Sequence, residues 1–223
     1  DSGNANDGIT NVAPEFSLGN VESLATTKFQ IFQVQGGNEL LLGTVNQIYS
    51  PSSTVTLKSL LQSINKSLSD GEYRVVVTQT DLAGNVSSSK TLQVTYDTAA
   101  PSVTLDTSAA SLNIATGTQL TRAITIGQSS TSTVKVLDAS GQEVANPNAS
   151  LFGISNGVLT GNFSGLQGQN TVQVSASDAA GNKASQSFSV NVDTIAPTIS
   201  LDALSASAVN PSSLTQALTL TGT

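Results

Sequence analysis

Cysteine, methionine, tryptophan and histidine are all absent from this 223-residue chain. Without Cys there is no disulfide scaffold, and pairing says nothing about redox compartment. Export by a route that makes no use of disulfides is compatible with that. Without His and Cys, the usual ligands of zinc and haem and the usual acid–base and thiol catalysts are missing. Aromatic residues make up only 4% of the chain, too few for large aromatic binding platforms. Charge is scarce as well, at 10%, and the net charge of -7 has the wrong sign for tracking a nucleic-acid duplex. No apolar run is long enough to span a membrane and no basic-then-apolar opening occurs, so neither a span nor a signal peptide is expected. A start at Asp1 is expected of a matured or excised segment. With neither a nucleophile-elbow nor a phosphate-loop pattern, an enzyme is not expected.

What the chain does have is aliphatic. Hydrophobic residues are 38% of it, mostly Val, Leu, Ile and Ala, and the length suits two domains of about 100 residues each. A repeat shows at the joints. Asp81-Leu-Ala-Gly-Asn85 and Asp178-Ala-Ala-Gly-Asn182 lie 97 residues apart (178 minus 81). Asp97-Thr-Ala-Ala-Pro101 and Asp193-Thr-Ile-Ala-Pro197 lie 96 apart (193 minus 97). Two motifs agreeing within one residue indicate tandem duplication. The domains predicted are 1–97 and 98–193, with 194–223 opening a third repeat, either an incomplete domain or a donated strand.

Between the joints the pattern alternates with the period of half-buried strands. "YRVVVTQT" and "NTVQVSAS" precede the two AGN turns, while "KTLQVTY" and "SQSFSVNV" follow them. Each pair reads as a terminal hairpin, with Gly and Asn accepting the positive φ of the turn. Further strands are expected at Lys28–Val34, Leu40–Val45, Ser102–Leu105, Ala123–Ile126, Thr133–Leu137 and Val158–Phe163. About seven short strands per repeat give an all-β fold of tandem immunoglobulin-like sandwiches. Tyr73 stands where such a fold bonds a tyrosine back to the chain at a strand corner. The second repeat has Asn170 there instead. One short helix interrupts the first repeat: in "TLKSLLQSINKSL", Leu57, Leu60, Leu61, Ile64 and Leu68 recur at helical spacing. It reads as a crossover burying its own leucines, or less simply as a partner-binding helix.

The acids are not scattered. Of ten Asp residues, eight (Asp1, Asp7, Asp81, Asp97, Asp106, Asp178, Asp193 and Asp202) fall in a joint, in a final hairpin turn, or at the start of a repeat. Asp70 and Asp138 read as ordinary turn residues. Sandwich geometry places the Asp178–Asn182 turn against the Asp97–Pro101 linker, and by the same argument the Asp81–Asn85 turn against "DSGNANDGITN". Carboxylates so gathered repel, and a divalent cation removes that cost. Calcium accepts irregular oxygen ligation from Asp, Asn and carbonyl groups. Asp and Asn also cap turns by side-chain hydrogen bonds, so plain turns remain the competing account. The spacing matches neither an EF-hand nor the glycine-rich nonapeptide repeat.

Together, "DSGNANDGITN…PEF", "DLAGN", "DAAGN", "DTAAP" and "DTIAP" resemble the bacterial immunoglobulin-like tandem repeats of giant secreted adhesins of the RTX and BapA type. The resemblance covers both repeats and the start of the third, tight at the joints and loose between them. It implies a secreted fibre at the bacterial cell surface or in the extracellular matrix, stiffened by calcium at domain junctions. It implies as ligands Asp97 with Asp178 and Asn182, and Asp1 and Asp7 with Asp81 and Asn85. Because the DSG…DGITN stretch occurs once only, the middle junction is expected to hold fewer ions, or to hold them with Asp106 as a substitute ligand.

Three functions fit. One is a structural spacer whose partners are neighbouring repeats of the same protein; its short, Pro-bearing linkers oppose free flexing. Another is a filament subunit pairing with copies of itself through the alternating tail "SLTQALTLTGT". The third is a lectin-like or ice-binding module, suggested only by strand Thr residues.

Overall fold

The computed structural model describes residues 3, 6–106, 111–115, 119–128, 131–144 and 152–200. They form two β-sandwiches in series, each with its own core. The fold is all-β and immunoglobulin-like, with one short helix.

In the first sandwich the order is β1 (Ile9–Thr10), β2 (Glu15–Ser17), β3 (Thr26–Gln35), β4 (Asn38–Ile48), β5 (Thr54–Thr56), α1 (Leu57–Ser63), β6 (Gly71–Thr80) and β7 (Lys90–Tyr96). Five strands make one sheet, ordered β1-β7-β6-β3-β4. Opposite it, among the described residues, lie the short pair β2–β5 and the helix. Alternation along β3 and β6 sends Phe29, Ile31, Tyr73 and Val75 inward, and all four are buried. Thr56 starts the helix, its hydroxyl accepting the Ser59 N–H at 3.0 Å. Leu57, Leu60 and Leu61 bury themselves beneath it, each contributing about 1.5–3 kcal/mol over leaving it exposed. Ile64 and Leu68 pack against the same core. The leucine spacing therefore marks a crossover that closes a sandwich short of strands.

Tyr73 forms the strand corner expected of it. Its hydroxyl donates to the Ser69 carbonyl at 2.8 Å. Asn170, the corresponding residue of the second sandwich, is also buried, and its amide donates to the Gly168 carbonyl at 2.8 Å.

The second sandwich runs β8 (Ser102–Leu105), β9 (Ser111–Ala115), β10 (Gln119–Gly127), β11 (Thr131–Asp138), β12 (Phe152–Ser155), β13 (Val158–Asn162), β14 (Gly168–Ser177) and β15 (Lys183–Asp193). Its sheets are balanced, β12-β13-β10-β8 against β11-β14-β15-β9. Leu159, Phe163, Val172, Val174 and Val190 fill the space between them. The tail "SLTQALTLTGT", with Asp202 and Asp1, lies outside the described residues.

Both final hairpins end at the same pole of their sandwiches, here the leading pole; β7 and β15 run from it to the trailing pole. In each unit an early short strand pairs in parallel with the last: β1 with β7 and β9 with β15. That pairing decides where the N-terminal stretch goes. Ile9 and Thr10 lie beside Thr95 and Tyr96, at the trailing pole. The expectation that "DSGNANDGITN" faces the Asp81–Asn85 turn is therefore corrected. Asp7 stands at the opposite end of the first sandwich from Asp81 and Asn85, because the parallel ladder holds its neighbours there.

Candidate functional site: the joint between the sandwiches

The two D-x-A-G-N turns are built alike. In each, the Asp N–H donates to the Asn carbonyl and the Gly N–H to the Asp carbonyl. The Asn N–H and side-chain amide then donate to the two Asp carboxylate oxygens, at 2.8 and 2.8 Å in the first turn and 2.9 and 2.9 Å in the second. Only Gly84 and Gly181 take positive φ, +90° and +88°. Asn85 and Asn182 are needed for their side chains, which corrects the expectation that the turn uses Asn for its backbone. The Asn85 amide, followed by its backbone N–H, holds the Asp81 carboxyl below the ordinary carboxylate range. Turn closure thus accounts for the residue types of the motif.

The surroundings separate the two turns. At Asp81–Asn85 the chain is open: Leu82 is 81% exposed, and Ala83, Gly84 and Asn85 are exposed too. At Asp178–Asn182 the linker and the N-terminal stretch of the first sandwich converge. The Asn182 amide nitrogen donates to the carbonyls of Asp97, at 2.9 Å, and of Ala99, at 3.3 Å. Its amide oxygen accepts from Asn11 at 3.1 Å. Ala180 is fully buried. Gly3 lies so close that a β-carbon there would stand 1.7 Å from the Ala179 carbonyl oxygen, so only glycine fits.

The linker is tied from behind as well. The Asp97 N–H donates to the Thr10 carbonyl at 3.0 Å, and the Asp97 carboxylate accepts the Ala99 N–H at 2.9 Å. Asp7 makes the same local bond to Ile9, and Asp193 to Ile195. Thr98 donates through both its N–H and its hydroxyl to Asp70, at 3.1 and 2.8 Å. Asp70 is thus not an ordinary turn residue but the anchor of the linker on the first sandwich. The repeat offset was the signal for it: 97 residues on stands Gln167, which accepts the Thr194 N–H and hydroxyl in the same way.

Of the candidate ligands, the structure brings Asp97, Asp178 and Asn182 to one joint, while Asp7 precedes β1, back along β7 from Asp97, and accepts the Ile9 N–H. Asp81 and Asn85 stand at the far pole of the first sandwich. Asp106 is carried off by β8, where it faces the Arg122 guanidinium at 4.0 Å and donates its N–H to the Ala123 carbonyl. It does not serve as a substitute at the joint. Among the described residues no three acidic side chains come close enough together to hold a metal ion.

The site's donors are all oxygen, and their arrangement is unusual. Three oxygens, from Asp97, Ala99 and Asp178, surround one amide nitrogen that has two hydrogens to give. The joint is an oxygen-rich nest centred on a weakly positive group. No helix among the described residues is long and apolar enough to cross a membrane.

Comparison with known proteins adds the following. Residues 1–98 match the family model described as "Bacterial Ig-like domain". No curated protein matches the sequence. Among solved structures, the chain is similar to the fibronectin(III)-like modules of Clostridium thermocellum CbhA, at 15% identity over 83% of this chain and 88% of that one, with a TM-score of 0.42. It is likewise similar to murine CEACAM1b, at 13% identity over 84% and 96%, with a TM-score of 0.43.

Proposed function

We propose that this chain is a structural spacer from a secreted bacterial adhesin or surface fibre, in which repeats joined end to end hold a distant binding element away from the cell. The observation that carries the reading is the lock at Asn182, where one side chain ties the linker carbonyls of Asp97 and Ala99 and the side chain of Asn11 to the following sandwich. With Thr98 held by Asp70, the linker is bonded from both sides. Such a joint transmits force and resists bending, which an adhesive stalk requires and a flexible tether lacks. The match of residues 1–98 to a bacterial Ig-like domain supports a structural or adhesive module over an enzyme.

Calcium is the ion this joint would take. Asp97 and Asp178, the amide oxygen of Asn182, and the carbonyls of Asp97 and Ala99 are the groups that would hold it. All are hard oxygen donors, and calcium accepts such a mixed set. With no third carboxylate close by among the described residues, carbonyl and amide oxygens would supply much of the shell. Bound calcium would offset the repulsion between Asp97 and Asp178 and fix the joint angle.

Small-angle scattering and thermal melting, with calcium and then with chelator, test this. A longer, more stable particle with calcium, a response lost in Asp178→Ala and Asp97→Ala, supports the calcium-stiffened stalk. A rigid particle indifferent to calcium leaves a spacer locked by hydrogen bonds alone. A particle that bends freely in both conditions refutes the spacer reading itself.

A further inference from the structure

The first sandwich carries a pocket that neither its core nor the joint explains. On α1, Leu57, Leu60 and Leu61 turn inward. Lys58 and Gln62, four residues apart and exposed, share the outer side. The helix then stops sharply. Asn65 takes a φ of +57°, and the Lys66 N–H closes on the Leu61 carbonyl at 2.9 Å, an end that reverses the chain. The reversal returns Ser67 and Leu68 beside the helix. Leu68 and Tyr96 are both held against the first core. With Ala13 they enclose a cavity of 230 Å³ that Lys58, Gln62 and Ser67 also line.

Its polar groups are unengaged. The ion pairs among the described residues use Arg74, Arg122 and Lys135, and none uses Lys58. Among the described residues the Gln62 amide and the hydroxyls of Ser67 and Tyr96 likewise have no hydrogen-bond partner. No acid among the described residues lines the cavity, so in a chain of net charge -7 it is a local positive spot.

These features narrow the ligand. An amide and two hydroxyls both donate and accept, which matches a molecule rich in hydroxyls. Leu68 and the Tyr96 ring offer an apolar wall to ring C–H groups. One lysine, with no arginine fork beside it, suits a single carboxylate better than a phosphate. An amino acid would leave its ammonium group without an anion. The volume lies below the about 300–1,000 Å³ of pockets that enclose drug-sized molecules, so it takes one ring.

We infer that this pocket binds a uronate residue of an acidic polysaccharide. The Lys58 ammonium meets the carboxylate, Gln62 and Ser67 bond ring hydroxyls, and the ring rests on Leu68 and Tyr96. The inference goes beyond the spacer reading, since it gives the stalk itself a hold on polysaccharide. It shares no residue with the joint and is independent of calcium there.

Titration of the isotope-labelled 223-residue chain with sodium glucuronate, followed by NMR in the presence of chelator, tests it. The backbone amide signals of Lys58, Gln62, Leu68 and Tyr96 are expected to move together with a midpoint of about 1 mM. Glucose, which lacks the carboxylate, and acetate, which lacks the ring, are each expected to bind about fivefold more weakly or worse. Lys58→Gln should bring glucuronate down to the level of glucose. Lys183→Gln, an equal change of charge on the second sandwich, should leave it as in the parent. Glucuronate that moves none of these signals at about 100 mM, glucose or acetate that binds as tightly, or a Lys58→Gln chain that binds like the parent overturns the inference.

Discussion

Replacing Asn182 by Ala removes the one side chain that bonds the linker, the N-terminal stretch and its own turn at once. Three of its bonds cross the joint: to the Asp97 carbonyl, to the Ala99 carbonyl and from Asn11. Each is worth about 0.5–1.5 kcal/mol net, and the linker carbonyls regain water once released. The two hydrogens of one amide also serve three acceptors, so the linker bonds do not count in full. About 2 kcal/mol of joint stability is then lost, which raises the detached population about 30-fold. Asn85→Ala is the internal control, since it opens an identical turn that grips no linker. With no native Cys, a single pair of fluorophores can be placed through Gln47→Cys and Ser132→Cys, one on each sandwich. Single-molecule energy transfer should give a narrow distribution for the parent and for Asn85→Ala, and a broad one for Asn182→Ala. If Asn182→Ala stays as narrow as the parent, the joint is not held by this amide and the reasoning fails.

Tyr73→Phe removes the bond to the Ser69 carbonyl and should cost the first sandwich about 1–2 kcal/mol in urea unfolding, leaving the second unchanged. Leu61→Ala opens a cavity in a core that has a helix where a strand would be, and should cost about 2–5 kcal/mol by the same measurement. Asp81 has its folded pKa depressed, first by the Asn85 amide, so the bonds of that turn are present above the ordinary carboxylate pKa and are lost as pH falls through the lower folded value. The Asn85 backbone amide signal should therefore keep its native position below pH ~3.9 and move only on further acidification, whereas in Asp81→Asn it should not titrate. Asp70→Ala frees Thr98 and should broaden the energy-transfer distribution as Asn182→Ala does, though the second sandwich is untouched.

Much of this architecture was legible locally. Alternation in "KTLQVTY" and "SVTL" marks strands whose described bounds are the same residues, because a half-buried strand must alternate. The leucines of α1 and the corner at Tyr73 are likewise local signals with local partners. The helix bonds its own turns, and Ser69 lies four residues from Tyr73. The repeat offset identifies the joint motifs, and the same 97-residue step (167 minus 70) pairs Asp70 with Gln167.

By itself, the sequence determined the all-β class, the doubled unit, the self-closing D-x-A-G-N turns and the exclusion of chemistry that needs His or Cys, since each follows from residue type or short-range spacing. Tertiary structure alone decided which turn is a joint. Two turns with the same internal bonds end in different surroundings because a two-residue parallel ladder, Ile9–Thr10 on Thr95–Tyr96, carries the N-terminal stretch to the trailing pole. No alternation announces so short a strand, and its partner lies 86 residues away (95 minus 9). Long-range pairing of this kind is fixed by which edge the finished sheet leaves open, and that is a property of the assembled sandwich.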